Sequence, residues 1–156
     1  SLIKSSLLST FTGRFLNVHL GLSPYYRGSG TNVWPLINQE PHMVGVTFMH
    51  IDEGIDTGEI IHQIRADVVL GDSPHSIGNR LIKTMTDRYS QIICSLDNLA
   101  KEEQPRSEGA LYLRKDFNKE ACERLYSNFY DGMIAEYLHS KDSSQFPYIV
   151  TNSGIE

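Results

Sequence analysis

Two polar residues stand where a buried strand would be apolar throughout. In the run Phe15-Leu16-Asn17-Val18-His19-Leu20, Asn17 and His19 lie two apart, and on a strand that spacing sends both side chains to one face. A turn-rich loop follows at once, so the pair sits near the C-terminal end of its strand, where open α/β sheets put their ligands. An amide N–H beside an imidazole can stabilise charge growing on a carbonyl oxygen and can move a proton. The same pair also suits a strand end whose side chains bond nearby backbone. A second set of candidates comes at Asp52, Glu53 and Asp56, interleaved with Gly54 and Gly58. Glycines there let the backbone turn sharply and approach a ligand, and a carboxylate brought beside His19 would orient its ring. Acids and glycines are equally the ordinary content of a solvated hairpin loop.

Other chemistry is less well supported. His19, His42, His50 and His62 stand among acids, but no HxH, HxxxH or HExxH spacing occurs, so no metal site is expected. Gly28-Ser29-Gly30-Thr31 has the glycines of a phosphate cradle without the lysine of a P-loop. Cys94 and Cys122 fall on helical patterns and read as packing residues rather than nucleophiles.

The elements that must position these residues follow from pattern. Residues 5–11 read as the end of a helix stopped by Gly13. Residues 15–20 read as a strand, 21–32 as a loop with Pro24 and three glycines, and 34–38 as a helical turn. Residues 44–51 and 59–69 are β-rich, joined by the acidic segment. Ser73 as N-cap and Pro74 at the first position announce a helix. Ile77, Leu81, Met85, Tyr89, Ile92, Leu96 and Leu99 then form one apolar stripe. Residues 101–109 are a polar connector, 110–113 a short strand, and 118–138 one helix or two, broken near Gly132. This order predicts an α/β fold with a mixed, mostly parallel sheet flanked by helices. The division expected is 1–105 as the body and 106–156 as a helical extension packed on it.

Composition bounds the partners. The chain has 156 residues, 40% hydrophobic and 21% charged, enough for a core without staples. A formal net charge of −5 disfavours nucleic acid. No apolar run approaches the length of a membrane span, and two cysteines make no disulfide framework, which suits the cytoplasm. Lys4, Arg14 and Arg27 precede the first acid, Glu40, leaving a mildly basic start.

Three segments taken together resemble a known family. Asn17-Val18-His19, then Leu22-Ser23-Pro24-Tyr25-Tyr26-Arg27-Gly28, then Gly45-Val46-Thr47 running into Asp52-Glu53-Gly54-Ile55-Asp56-Thr57-Gly58, resemble the formyltransferases that use 10-formyltetrahydrofolate. The order and spacing of N-x-H, P-x-Y-R-G and D-x-G-x-D-T-G carry the match over residues 13–70, and it weakens towards residue 100. The resemblance implies that Asn17 holds the formyl oxygen, that His19 stabilises the oxyanion, and that Asp56 pairs with His19 and an ordered water. It implies that the backbone of Ile51, Asp52, Glu53, Gly54 and Ile55 contacts the pterin, with the Thr47 hydroxyl just below. Tyr25, Tyr26, Arg27 and Gly28 would then meet the amine-bearing substrate.

The resemblance also implies four upstream βα units, so residues 1–156 correspond to the C-terminal half of such an enzyme. Ser1 in place of Met fits a fragment, and a natural short homologue is the alternative. One sheet edge should then be exposed and open to a second copy. Methionyl-tRNA enzymes carry a basic C-terminal barrel, and the purine enzyme has a histidine where Met49 stands. The segment Leu113-Arg114-Lys115-Asp116-Phe117 is closer to the sugar-amine formyltransferases. A primary amine on a small molecule, an amino sugar above all, is therefore the expected acceptor, with no metal. The alternatives are a formyltetrahydrofolate hydrolase and a folate-binding fragment without turnover.

Overall fold

A computed structural model describes residues 5–11, 13–104 and 109–155, with only the backbone of Gln145. Residues 1–4 and the 105–108 part of the polar connector lie outside the described residues. The elements are α1 (Ser5–Thr10), β1 (Leu16–His19), β2 (Tyr26–Gly28), α2 (Trp34–Ile37), β3 (Gly45–His50), β4 (Ile60–Arg65), α3 (Pro74–Ser95), β5 (Ala110–Tyr112), α4 (Lys119–Tyr130) and α5 (Met133–Ser140).

The main sheet has the order β1-β3-β4, and both pairings are antiparallel. Its register sets Asn17 opposite Met49 and His19 opposite Thr47. A smaller sheet pairs β2 with β5 in parallel. The α/β class and the mixed orientation stand, but antiparallel pairing leads. The reason is local: β3 and β4 are joined by the short acidic segment, which can only return the chain alongside itself. Residues 26–28, expected as loop, form β2 because β5 offers a partner across a stack of rings. Tyr112 lies 4.4 Å from Trp34 and 5.7 Å from Tyr26, centroid to centroid.

Helix α3 starts where its caps dictate. The Ser73 hydroxyl accepts from Ser76 N at 3.1 Å, and the Ser76 hydroxyl accepts from Ser73 N at 2.7 Å, a reciprocal box that contributes about 1 kcal/mol. Its stripe buries Ile77, Leu81 and Ile92 against the sheet, with Tyr89 stacked on Phe48. Truncating Leu81 to Ala would cost about 2–5 kcal/mol. Cys94 falls off that stripe and is exposed, so it does not pack as expected, whereas Cys122 is half-buried. The helical segment after residue 118 is two helices, because Gly132 takes φ +89° between them. Asn128 on α4 donates to the carbonyls of Leu36 and Ile37, holding α4 on α2.

The two margins of the main sheet differ. Beside β4 run Glu102, bridged to Ile60, and Val150, whose carbonyl accepts from Gln63 N at 2.7 Å. Outside β1 no strand is paired among the described residues. No described helix is long and apolar enough to cross a membrane.

Candidate active site

Asn17, His19 and Asp56 converge. From β1, Asn17 Nδ2 donates to Asp56 Oδ1 at 3.0 Å, while His19 Nδ1 stands 3.4 Å from Asp56 Oδ2. The backbone N–H of Gly28 donates to the same Oδ2 at 2.9 Å. Asp56 is itself left-handed, at φ +53°, a conformation that costs a side-chain-bearing residue about 1 kcal/mol or more and persists only where the surroundings hold it. Three donors or partners on two oxygens do that here.

The loop that delivers Asp56 is folded by its own first acid. Asp52 accepts from Gly54 N at 2.9 Å and from the Thr57 hydroxyl at 2.8 Å. Gly58 closes it: a Cβ there would lie 1.9 Å from the carbonyl oxygen of His50, so no side chain fits.

His19 is 6% exposed and held on its other side too. Its Nε2 lies 2.8 Å from the Tyr26 carbonyl oxygen and 3.3 Å from Thr31 Oγ1, whose hydrogen goes to the Leu20 carbonyl at 2.7 Å. Both neighbours therefore present lone pairs, so Nε2 bears the hydrogen. Nδ1 then meets the Asp56 carboxylate, and that contact closes as a hydrogen bond when a proton sits between them. Gly21 completes the slot, since a Cβ there would lie 2.5 Å from Nε2.

A buried polar network lies beneath. Thr47 Oγ1 donates to the Gly21 carbonyl at 2.7 Å and accepts from Ser23 N and Gln63 Nε2, both at 2.9 Å. Gln63 Nε2 also reaches the Ser23 carbonyl at 2.7 Å, and Gln63 Oε1 accepts from Val150 N at 3.0 Å. Thr47 is fully buried. Its hydroxyl is engaged by the loop after His19, and Thr47 lines neither of the two cavities beside the cluster, so it supports the site from below.

Two cavities open beside the cluster. A hollow of about 240 Å³ is lined by Asn17, Met49, Asp56 and the loop residues Ile51, Asp52, Gly54 and Ile55. It shares His50, Ile51, Asp52, Thr57 and Gly58 with a larger cavity of about 630 Å³, whose walls add Arg27, Lys101, Glu103 and Gln104. His19 is on the wall of neither and stands behind Asp56. Glu53 is exposed and lines neither.

The acceptor loop divides. Arg27 lines the larger cavity and Gly28 touches Asp56, as expected of residues near a substrate. Tyr26 does not: it is 5% exposed, stacked on Tyr112, and its hydroxyl is bonded to Glu40 and Asn38. Burial and the Glu40 carboxylate hold that phenol well above its usual range. It is a core residue because β2 turns it inward. Tyr25 is half-buried, with its hydroxyl donating to the Tyr148 carbonyl at 3.1 Å, and it lines neither cavity. Sequence reasoning passes over Gln63 and Gln104, and it reads Thr31 only alongside the glycines of a phosphate cradle. Gln63 had a signal: an amide inside the apolar run Ile60-Ile61-His62-Gln63-Ile64 needs buried partners. Among the described residues no three His, Cys, Asp or Glu side chains gather as a metal site.

An amide and a carboxylate on the wall of a hollow, with an imidazole behind the carboxylate, form an arrangement able to stabilise charge on a carbonyl oxygen and to move a proton. Comparison with known proteins fixes the family: residues 1–93 match the formyl transferase family model, and the chain belongs to that family. Methionyl-tRNA formyltransferase of Desulforamulus reducens is 37% identical over 91 residues, 58% of this chain and 27% of the relative. GDP-perosamine N-formyltransferase of Brucella melitensis biotype 1 is 35% identical over 97 residues, 57% of this chain and 37% of the relative. The chain thus spans about a third of the curated relatives it matches. Among solved structures, the formyltransferase PseJ of Anoxybacillus kamchatkensis is similar with a TM-score of 0.68 at 26% identity, covering 86% of this chain and 68% of that one. That structure holds a formamido sugar nucleotide and tetrahydrofolate.

Proposed function

We propose that this chain carries the formyl-transferring site of an enzyme that moves a formyl group from 10-formyltetrahydrofolate to a primary amine on a nucleotide-linked amino sugar. The observation that carries the reading is the Asn17–Asp56–His19 cluster set against the smaller hollow. When bound, the folate would supply a formyl carbonyl open to attack. Asn17 lines the hollow and has a second amide hydrogen to give to that oxygen as an amine adds. Asp56 faces the same hollow and can take the amine's proton, which His19 Nδ1 shares across the 3.4 Å contact and which passes to the folate nitrogen as the adduct collapses and its C–N bond to the folate breaks. The backbone of 51–55, where it lines the hollow, is the part of the chain that would hold the pterin.

The sugar is supported by the relatives: PseJ was solved with a formamido sugar nucleotide, and the Brucella enzyme acts on GDP-perosamine by name. The test is tetrahydrofolate release by the whole protein from 10-formyltetrahydrofolate, with nucleotide-linked amino sugars, with initiator methionyl-tRNA, and with no amine. Release that depends on an amino sugar is expected. Equal release without amine would make the protein a hydrolase, and release with the tRNA alone would replace the sugar.

A further inference from the structure

One short strand holds both His19 and Asp56 by its backbone. The Tyr26 carbonyl lies 2.8 Å from His19 Nε2, and the Gly28 N–H donates to Asp56 Oδ2 at 2.9 Å. Tyr26 and Gly28 are two apart on β2, and residues two apart on a pleated strand are oriented alike. The residues of the other phase turn to β5. The Tyr25 carbonyl accepts from Ala110 N at 2.9 Å, and Ser29 N donates to the Tyr112 carbonyl at 2.8 Å. β2 is thus a strap, with His19 and Asp56 along one edge and β5 along the other.

Pairing alone is a weak hold for such a strap. Both strands are three residues long and they run parallel, and a two-stranded sheet needs further packing to stay formed. Rings supply it. Tyr112 stacks on Tyr26 at 5.7 Å with 6° between the planes, and on Trp34 at 4.4 Å with 17°. Asn38 Nδ2 donates to both phenol oxygens, at 3.0 Å each. Trp34 Nε1 donates to the Ser29 carbonyl at 3.2 Å, so the same stack pins the outgoing end of β2. Gly28 stands opposite Tyr112, and a Cβ there would lie 2.2 Å from the Tyr112 carbonyl oxygen. The two strands therefore meet at the closest approach where the stack holds them.

This hold has a chemical consequence. A carbonyl at Nε2 keeps the hydrogen on that nitrogen of His19 and leaves Nδ1 open to Asp56. A strap that turned or slid would lose the Tyr26 and Gly28 contacts together, and misplacement on that scale is costly at a reacting centre.

We infer that Tyr112 is a positioning residue for formyl transfer: stacked on Tyr26, it holds β2 in the alignment that turns the Tyr26 carbonyl to His19 and the Gly28 N–H to Asp56. The inference rests on the formyl-transfer reading for the reaction it affects, but not for the ring it holds.

The test uses the whole protein and two readouts. The first is kcat for tetrahydrofolate release with whichever acceptor drives it, counted per tetrahydrofolate-binding site so that misfolded protein does not contribute. Tyr112→Ala lowers it roughly tenfold, while tetrahydrofolate affinity stays within about twofold. Tyr112→Phe, which keeps the ring, restores most of the loss. Tyr112→Leu fills the space without a stacking face, lowers kcat likewise, and serves should the alanine variant fold poorly. The second readout is the ring nitrogens of His19 by NMR of 15N-histidine-labelled protein, assigned by His19→Gln. The parent protein shows hydrogen on Nε2 and none on Nδ1, and the ring-less variants mix the two tautomers. An unaltered His19 signal in those variants overturns the inference whatever kcat does. Unchanged kcat per site in a protein that transfers formyl overturns it as well and leaves Tyr112 a packing residue. An altered ring signal in a protein that transfers no formyl group would sink the reaction and keep the hold on His19.

Discussion

The two halves of the site are finished to different degrees. The Asp56 carboxylate and the His19 ring have their partners: Asn17, Gly28 N–H and His19 close on the carboxylate, and Tyr26 and Thr31 close on the ring behind it. Arg27, His50 and Gln104 by contrast have buried atoms with no partner among the described residues. The first arrangement is what fixed electrostatics at a reacting centre requires, since groups that need not reorganise act at full strength. The second leaves polar atoms unmet, at a cost of roughly 1–3 kcal/mol each.

That contrast is broken most directly at Asp56. Asp56→Ala and His19→Ala should each lower kcat on the order of 10² or more, with tetrahydrofolate affinity changed by less than about threefold. Single-turnover rates beside equilibrium binding would decide it. Near-normal turnover in Asp56→Ala would remove the saturated cluster from the chemistry.

A smaller effect is expected one shell out. Thr31→Val keeps the shape and loses the hydroxyl that ties Leu20 to His19, so kcat should fall roughly tenfold while both KM values hold. Thr31→Ser should restore most of it. A loss shared by both variants would make Thr31 a packing residue only.

Tyr25 tests the rim. It lines neither cavity, so Tyr25→Lys should shift the amine's KM only about threefold and leave folate binding unchanged. A tenfold shift would put this loop in contact with the acceptor.

The smallest effect on activity, none, is expected at the Asp72–Arg80 pair, far along the chain at the start of α3. The Arg80 guanidinium grips Asp72 at 2.7 and 3.0 Å and holds its carboxyl down to about 2. A carboxyl lower in the folded than in the unfolded state stabilises above the unfolded value near 3.8 and loses that stabilisation as pH falls towards 2. Because Arg80 faces solvent, screening leaves about 1 kcal/mol of this. Asp72→Asn should lower the urea midpoint accordingly at pH 7, with the gap to wild type closing near pH 2. A gap that persisted in acid would place the effect elsewhere.

Local order was legible where one residue decides it. Ser73 and Pro74 started α3, Gly132 split the late helices, and the two-residue spacing set Asn17 and His19 on one face. The residues that converge were legible for the same reason, because N-x-H and the glycine-flanked acids are local. What escaped depended on distant partners. Tyr26 reads as an exposed loop ring until β5, some 84 residues on, stacks Tyr112 against it. Thr47 reads as a site hydroxyl until Ser23 and Gln63 are known to engage it. Gln104 sits in a polar connector and reveals nothing until Gly58 meets it.

The link from Thr47 through Gln63 to Val150 also sets an order of events. Val150 follows Gln63 by 87 residues, and non-local contacts of that span form slowly because a long loop must close first. On a ribosome, β1 and the acidic loop emerge well before the segment that completes the network beneath the loop after His19. The network beneath the loop after His19 is therefore completed only once residue 150 has emerged, well after the strand that bears the histidine.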